Sequence, residues 1–117
     1  MDTRAITAVR YFRRDKENAV RMAARFRETA DLSQEQNREH MEELMQWVQY
    51  TSWCYGRVLL TAYRCLSAYP RDSVEYRVLY HRYILGRKWR RLGDEMYYST
   101  RHVKRIGRNA LERLQGM

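Results

Sequence analysis

A chain of 117 residues, 44% hydrophobic and 32% charged, carries enough apolar material for one modest core and is not a disordered polyelectrolyte. A formal net charge of +9 points to a polyanionic partner, either nucleic acid or an acidic membrane surface. The charged N-terminus lacks the apolar stretch of a signal peptide and no apolar run is long enough to span a bilayer, so a cytoplasmic chain is expected. Basic helices could touch acidic lipid, but the last helix of the chain needs its apolar face for the core, so no membrane is expected as a partner.

The first predicted helix runs from about Thr3 to Ala30. Ile6, Val9 and Phe12 recur every three residues, and Val20, Ala23, Phe26 and Ala30 resume at three and four. Between them Arg13, Arg14, Asp15, Lys16, Glu17 and Asn18 weaken the apolar stripe, and a break or a solvent-facing turn would fit there. Asp31 to Gln34 reads as a connection. Ser33 with Gln36 three residues on has the form of a capping box.

The second predicted helix is long, from about Gln34 to Ala68. Met41, Leu44, Val48, Thr51, Tyr55, Val58, Ala62, Cys65 and Tyr69 alternate strictly by three and four. A second ridge of Met45, Ser52, Leu59 and Leu66 runs beside them, and Trp47, Trp53 and Tyr63 broaden the apolar surface. The helix should therefore pack on the first one, and the width of the surface leaves room for a homodimer. Gly56 interrupts it as a place for close helix contact or as a plain helix-weakening residue. Cys54 and Cys65 lie eleven residues apart on this helix, roughly 16 Å at its rise per residue. That is too far for a disulfide, so both are expected to be reduced.

Tyr69-Pro70-Arg71-Asp72-Ser73 is the clearest break: proline stops a helix, and Asp72 or Ser73 can cap the next. Residues 1–70 thus read as a helical hairpin, for packing and oligomerisation, and residues 71–117 as a separate module. The basic character sits in that module, with 12 Lys and Arg against 5 Asp and Glu from Arg71 onward.

Three short helices are predicted in the module. The first carries Val74, Val78, Leu79, Tyr83 and Ile84 and ends at Gly86; the second, about Lys88 to Met96, buries Trp89, Leu92 and Met96. Ser99 can cap the third, which turns Val103, Ile106, Ala110, Leu111 and Leu114 inward and Thr100, Arg101, Lys104, Arg105 and Arg108 outward. A helix that enters the major groove needs a preceding helix to fix its angle. It also needs polar residues near its N-terminus for base edges, and cations on its flanks for phosphates. Trp89 and Tyr83 are expected in the core, and Arg82 is a candidate partner for Asp94 or Glu95.

Val78-Leu79 with Arg82-Tyr83, then Gly86, Trp89, Leu92 and Met96, then Ser99, Val103, Ile106, Ala110-Leu111 and Leu114 together resemble region 4 of bacterial sigma factors. The resemblance covers about a third of the chain. Gly93 departs from the alanine frequent there, and Tyr97-Tyr98 replace the small turn residues. Nothing upstream resembles the rest of a sigma factor. A long helical part followed by this module is similar instead to the RinA/ArpU-like family of phage late-gene transcriptional regulators. The resemblance implies an all-α fold ending in a three-helix, sigma region 4-like helix-turn-helix that binds double-stranded DNA in a bacterial host, with RNA polymerase as a further partner. It implies base reading by Thr100, Arg101, Lys104 and Arg105, and phosphate contacts from Arg87, Lys88, Arg90, Ser99 and Arg108.

His40, His81 and His102 lack metal-ligand spacing, and Glu42-Glu43 and Asp94-Glu95 are neighbours that point apart on a helix. No nucleophile arrangement and no phosphate-cradling glycine loop is apparent, so no enzyme, metal or cofactor is expected. Two other readings fit the same features: a DNA-packaging recognition protein similar to small terminase subunits of phages, and a module that binds RNA polymerase with little affinity for DNA.

Overall fold

The computed structural model describes Met1–Met117 and is all-helical: α1 (Arg4–Thr29), α2 (Glu35–Leu66), α3 (Val74–Leu79), a π turn (Tyr80–Ile84), α4 (Trp89–Met96) and α5 (Thr100–Gln115). The chain forms two compact units, one of Tyr11–Arg57 and one of Met1–Arg10 together with Val58–Met117. The unit that holds α3, α4 and α5 is thus larger than residues 71–117.

The unit of Tyr11–Arg57 is an antiparallel helical pair. Ala23 of α1 is buried against Met41 and Leu44 of α2, with Phe26 and Val48 packed beside them. Phe26 meets His40 edge-on at 4.7 Å. The charged run of residues 13–18 does not break α1. Arg13 lies over the Tyr55 ring at 5.9 Å and donates from Nε to the Tyr55 hydroxyl at 3.3 Å, and Lys16 lies over the same ring at 5.3 Å. The long side chains fill the stripe that the sequence leaves without aliphatic residues, and the aromatic face of Tyr55 receives their charge. At the start of α2 the capping box does not form. The Ser33 backbone N–H and hydroxyl both donate to Asp31 Oδ1, at 3.0 and 2.6 Å. Asp31 holds the turn instead, and these two bonds lower its carboxyl pKa. Gly56 has no atom within 4 Å of a would-be Cβ, so it makes no close helix contact within the chain. Trp47, Tyr50 and Trp53 are exposed on α2, at 50%, 58% and 61%.

In the other unit the heptad-spaced stripe of α2 continues as Ala62 and Cys65 and ends at Tyr69, all buried. Ile6 and Val9 of α1 are wholly buried in the same unit. The Cys65 thiol donates to the Asp2 carbonyl at 3.3 Å, and Gln115 Nε2 donates to Thr3 Oγ1 at 3.0 Å. Burial raises the Cys65 pKa, and both cysteines are free. The Tyr69 hydroxyl donates to the Ala110 carbonyl at 2.7 Å and so ties the end of the α2 segment to α5.

Ser73 caps α3, accepting from the Tyr76 N–H at 3.1 Å. The helix then widens into the π turn, which no pattern of threes and fours predicts. Its physical reason is visible in the burial: Leu79 and Ile84, five residues apart, both face the core, and i→i+5 closure brings them to one side. Gly86 ends the element in the left-handed region, at φ 75°. Helix α5 packs on both α3 and α4. The core they share is Val78, Leu92 and Val103, with Val74, Trp89, Met96 and Ile106 against it. Gly107 is the slot for Trp89: a Cβ there would stand 2.6 Å from Cη2 of the indole. No helix is long and apolar enough to cross a membrane.

Candidate nucleic-acid interface

Helix α5 starts where the sequence places it. Ser99 has extended backbone geometry, and its hydroxyl accepts from the His102 N–H at 3.1 Å. The buried residues Val103, Gly107, Ala110 and Leu114 define one side of the helix. Arg101, Lys104, Arg105 and Arg108, spaced i, i+3, i+4 and i+7, occupy the opposite side and are exposed; Thr100 at the first position is half-buried. None of these four cations takes part in an ion pair. An open groove on this side is lined by Ser99, Arg101, His102, Arg105, Arg108 and Asn109.

The cations expected on α4 and its approach divide into two kinds. Lys88, the N-terminal flanking residue of α4, and Arg90 are exposed and unpaired. Arg87 is half-buried and bound through Nη1 to Glu95 Oε2 at 2.9 Å, while Arg91 Nε holds the other carboxylate oxygen at 3.0 Å. The hydrogen bond from Arg91 and the charge of Arg87 keep the Glu95 carboxyl below its usual pKa. Glu95 thus takes Arg87 and Arg91, and the expected partner Arg82 does something else. Its guanidinium lies over the Trp89 ring at 4.9 Å and donates to the Arg87 carbonyl at 3.0 Å. Stacking on an indole satisfies a delocalised cation without a carboxylate. Tyr83 meets the same indole edge-on at 6.1 Å, so Tyr83 and Trp89 are part of the packing, as expected.

His102 is the residue that reading the sequence missed. Its Nδ1 is 2.9 Å from Arg105 Nη2, and its ring meets Tyr98 edge-on at 4.8 Å. Arginine only donates, so Nδ1 accepts and the imidazole holds Arg105 in place on the exposed side. The i, i+3 spacing of His102 and Arg105 was the available signal.

The turn between α4 and α5 is tight. The Tyr98 N–H donates to the Gly93 carbonyl at 2.9 Å, and a Cβ on Gly93 would lie 2.8 Å from the Tyr98 carbonyl oxygen. Glycine at position 93, where the sigma-like pattern often has alanine, is therefore required by this turn. Tyr97 takes the left-handed conformation, φ 59° and ψ 34°. Elsewhere, no group of three or more His, Cys, Asp or Glu side chains is placed to hold a metal ion. No family model matches the chain, and neither curated proteins nor solved structures give a significant match.

Proposed function

We propose that this chain is a sequence-specific, double-stranded-DNA-binding transcriptional regulator in which α4 and α5 act as a helix-turn-helix and α5 enters the major groove. One observation carries the reading: Arg101, Lys104, Arg105 and Arg108 form a single exposed side of a capped helix and have no carboxylate partners. Unpaired cations in that array release counterions from a phosphate backbone, and arginine forks match the O6 and N7 edge of guanine. In this reading Thr100, Arg101, Lys104 and Arg105 read bases, with Arg105 held by His102. Lys88, Arg90 and Arg108 contact phosphates, Ser99 opens the helix toward the backbone, and Arg87 joins them on leaving Glu95. The sigma region 4-like spacing and the long helical pair favour a regulator of phage late genes, akin to the RinA/ArpU-like family, working in a bacterial host beside RNA polymerase.

The exposed Trp47, Tyr50 and Trp53 favour a second reading, a self-associating DNA-packaging recognition protein. Solution mass separates the two: a monomer or dimer fits the regulator, and a ring of many subunits fits packaging. The primary test is selection of bound duplexes from a random pool at two salt concentrations. An enriched motif with affinity falling steeply in salt is expected. Absence of enrichment at both concentrations overturns the DNA reading and makes RNA polymerase the next bait.

A further inference from the structure

Tyr97 is the one non-glycine residue of the chain with a positive φ, and it is 95% exposed. In that conformation a Cβ crowds the following carbonyl, which is why helix ends of this kind ordinarily carry glycine or asparagine. A large ring normally justifies such a position by packing, and this one packs on nothing. The turn does not need it either. Backbone groups close the turn, through Tyr97 N–H to the Asp94 carbonyl at 3.4 Å and Tyr98 N–H to the Gly93 carbonyl at 2.9 Å. The next residue differs: Tyr98 is seated against His102. A bulky amphipathic side chain therefore stands in strained backbone, in solvent, two residues before the cap of α5 and four before Arg101.

We infer that Tyr97 is a contact residue for the sugar-phosphate backbone at the rim of the α5 interface, its ring on a deoxyribose and its hydroxyl donating to a phosphate oxygen. The inference rests on the reading of α5 as the DNA-entering helix and extends it to an uncharged residue outside the basic side. Contacts to phosphate and sugar make up half or more of protein–DNA hydrogen bonds, and tyrosine hydroxyls are among their donors. Such a contact displaces no counterion. It strengthens binding to every sequence alike and leaves the salt dependence as it was, unlike a contact from lysine or arginine.

The test compares the full-length parent with Tyr97→Gly, Tyr97→Asn and Tyr97→Phe. Each is measured for thermal unfolding and for binding to a selected and a scrambled duplex across a salt series. Gly and Asn relieve the strained backbone, so their melting temperatures should rise. Their affinities for both duplexes should fall by about fivefold to tenfold with an unchanged salt slope. Phe keeps the ring and should lose about threefold. Agreement between Gly and Asn excludes loop flexibility as the cause. If the parent binds duplex and the Gly and Asn variants bind equally well, the Tyr97 assignment is overturned while the DNA reading stands. If the parent binds no duplex at any salt concentration, both fall together.

Discussion

A methyl group added at Gly93 meets a backbone carbonyl that cannot retreat without opening the turn, and one added at Gly107 meets the rigid indole of Trp89. Alanine in a helix gains about 1 kcal/mol over glycine, but overpacking costs about 1–3 kcal/mol. Gly93→Ala and Gly107→Ala should therefore lower stability, and Gly56→Ala, in open space on α2, should raise it by up to about 1 kcal/mol. Denaturant melts of the three variants check the signs, and a stabilised Gly93→Ala would contradict the turn geometry. His81 gives a pH dependence. Its Nδ1 is buried without a partner, and burial, with Arg87 nearby, holds its pKa below the usual imidazole value. Well above the ordinary imidazole value of about 6.5, both folded and unfolded chains hold it neutral. As pH falls further, the unfolded chain takes up a proton that the folded one resists, so stability drops until the depressed folded value is passed. Replacing His81 by Phe should flatten that acid limb in thermal melts recorded from about pH 7 to about pH 5.

Helix α5 has a buried side and an exposed basic side, and if the proposed reading holds, substitutions on the basic side should sort into base and phosphate contacts. Arg101→Ala and Arg105→Ala should each cost about 1–3 kcal/mol on a selected duplex and relax the preference at one base pair. Lys88→Ala and Arg108→Ala should weaken binding to all sequences alike and reduce the salt slope by about one each. Unchanged binding by both Arg101→Ala and Arg105→Ala would remove α5 from the groove. The elements themselves differ in how readable they were. The stripe from Met41 to Tyr69 was legible because every third or fourth residue is aliphatic, aromatic or small, and the structure buries or half-buries all nine positions. The Ser99 cap and the Gly86 stop were legible as local chemistry. The continuity of α1 through Arg13 and Lys16 was not, since a hydrophobic pattern counts them as polar, whereas their alkyl stems and charges lie on Tyr55. The π turn was hidden for another reason: the spacing of five between Leu79 and Ile84 belongs to neither a helical nor a strand period.

At the scale of the whole molecule, the break at Pro70 separates helices, but the packing groups the chain differently. Thr3 bonds to Gln115 across 112 residues of sequence, and Ile6 and Val9 are buried in the unit that contains α3, α4 and α5. Contacts between such distant positions leave no local signature, so the contribution of the first ten residues to that unit could not be read from the sequence. Deleting Met1–Arg10 removes two fully buried aliphatic side chains, each worth about 1.5–3 kcal/mol. The deletion should lower the melting temperature followed by circular dichroism at 222 nm, a wavelength common to all helices, and should weaken DNA binding only by reducing the folded fraction. A deletion variant that melts like the parent would show that the unit does not depend on this segment. Of the three tryptophans, Trp47 and Trp53 belong to Tyr11–Arg57, while Trp89 alone belongs to the other unit, and it lines a groove with Lys104 and Arg108 of α5. Replacing Trp47 and Trp53 by phenylalanine would leave a single indole fluorophore beneath the basic helix, and its emission would report occupancy of that helix without any attached dye.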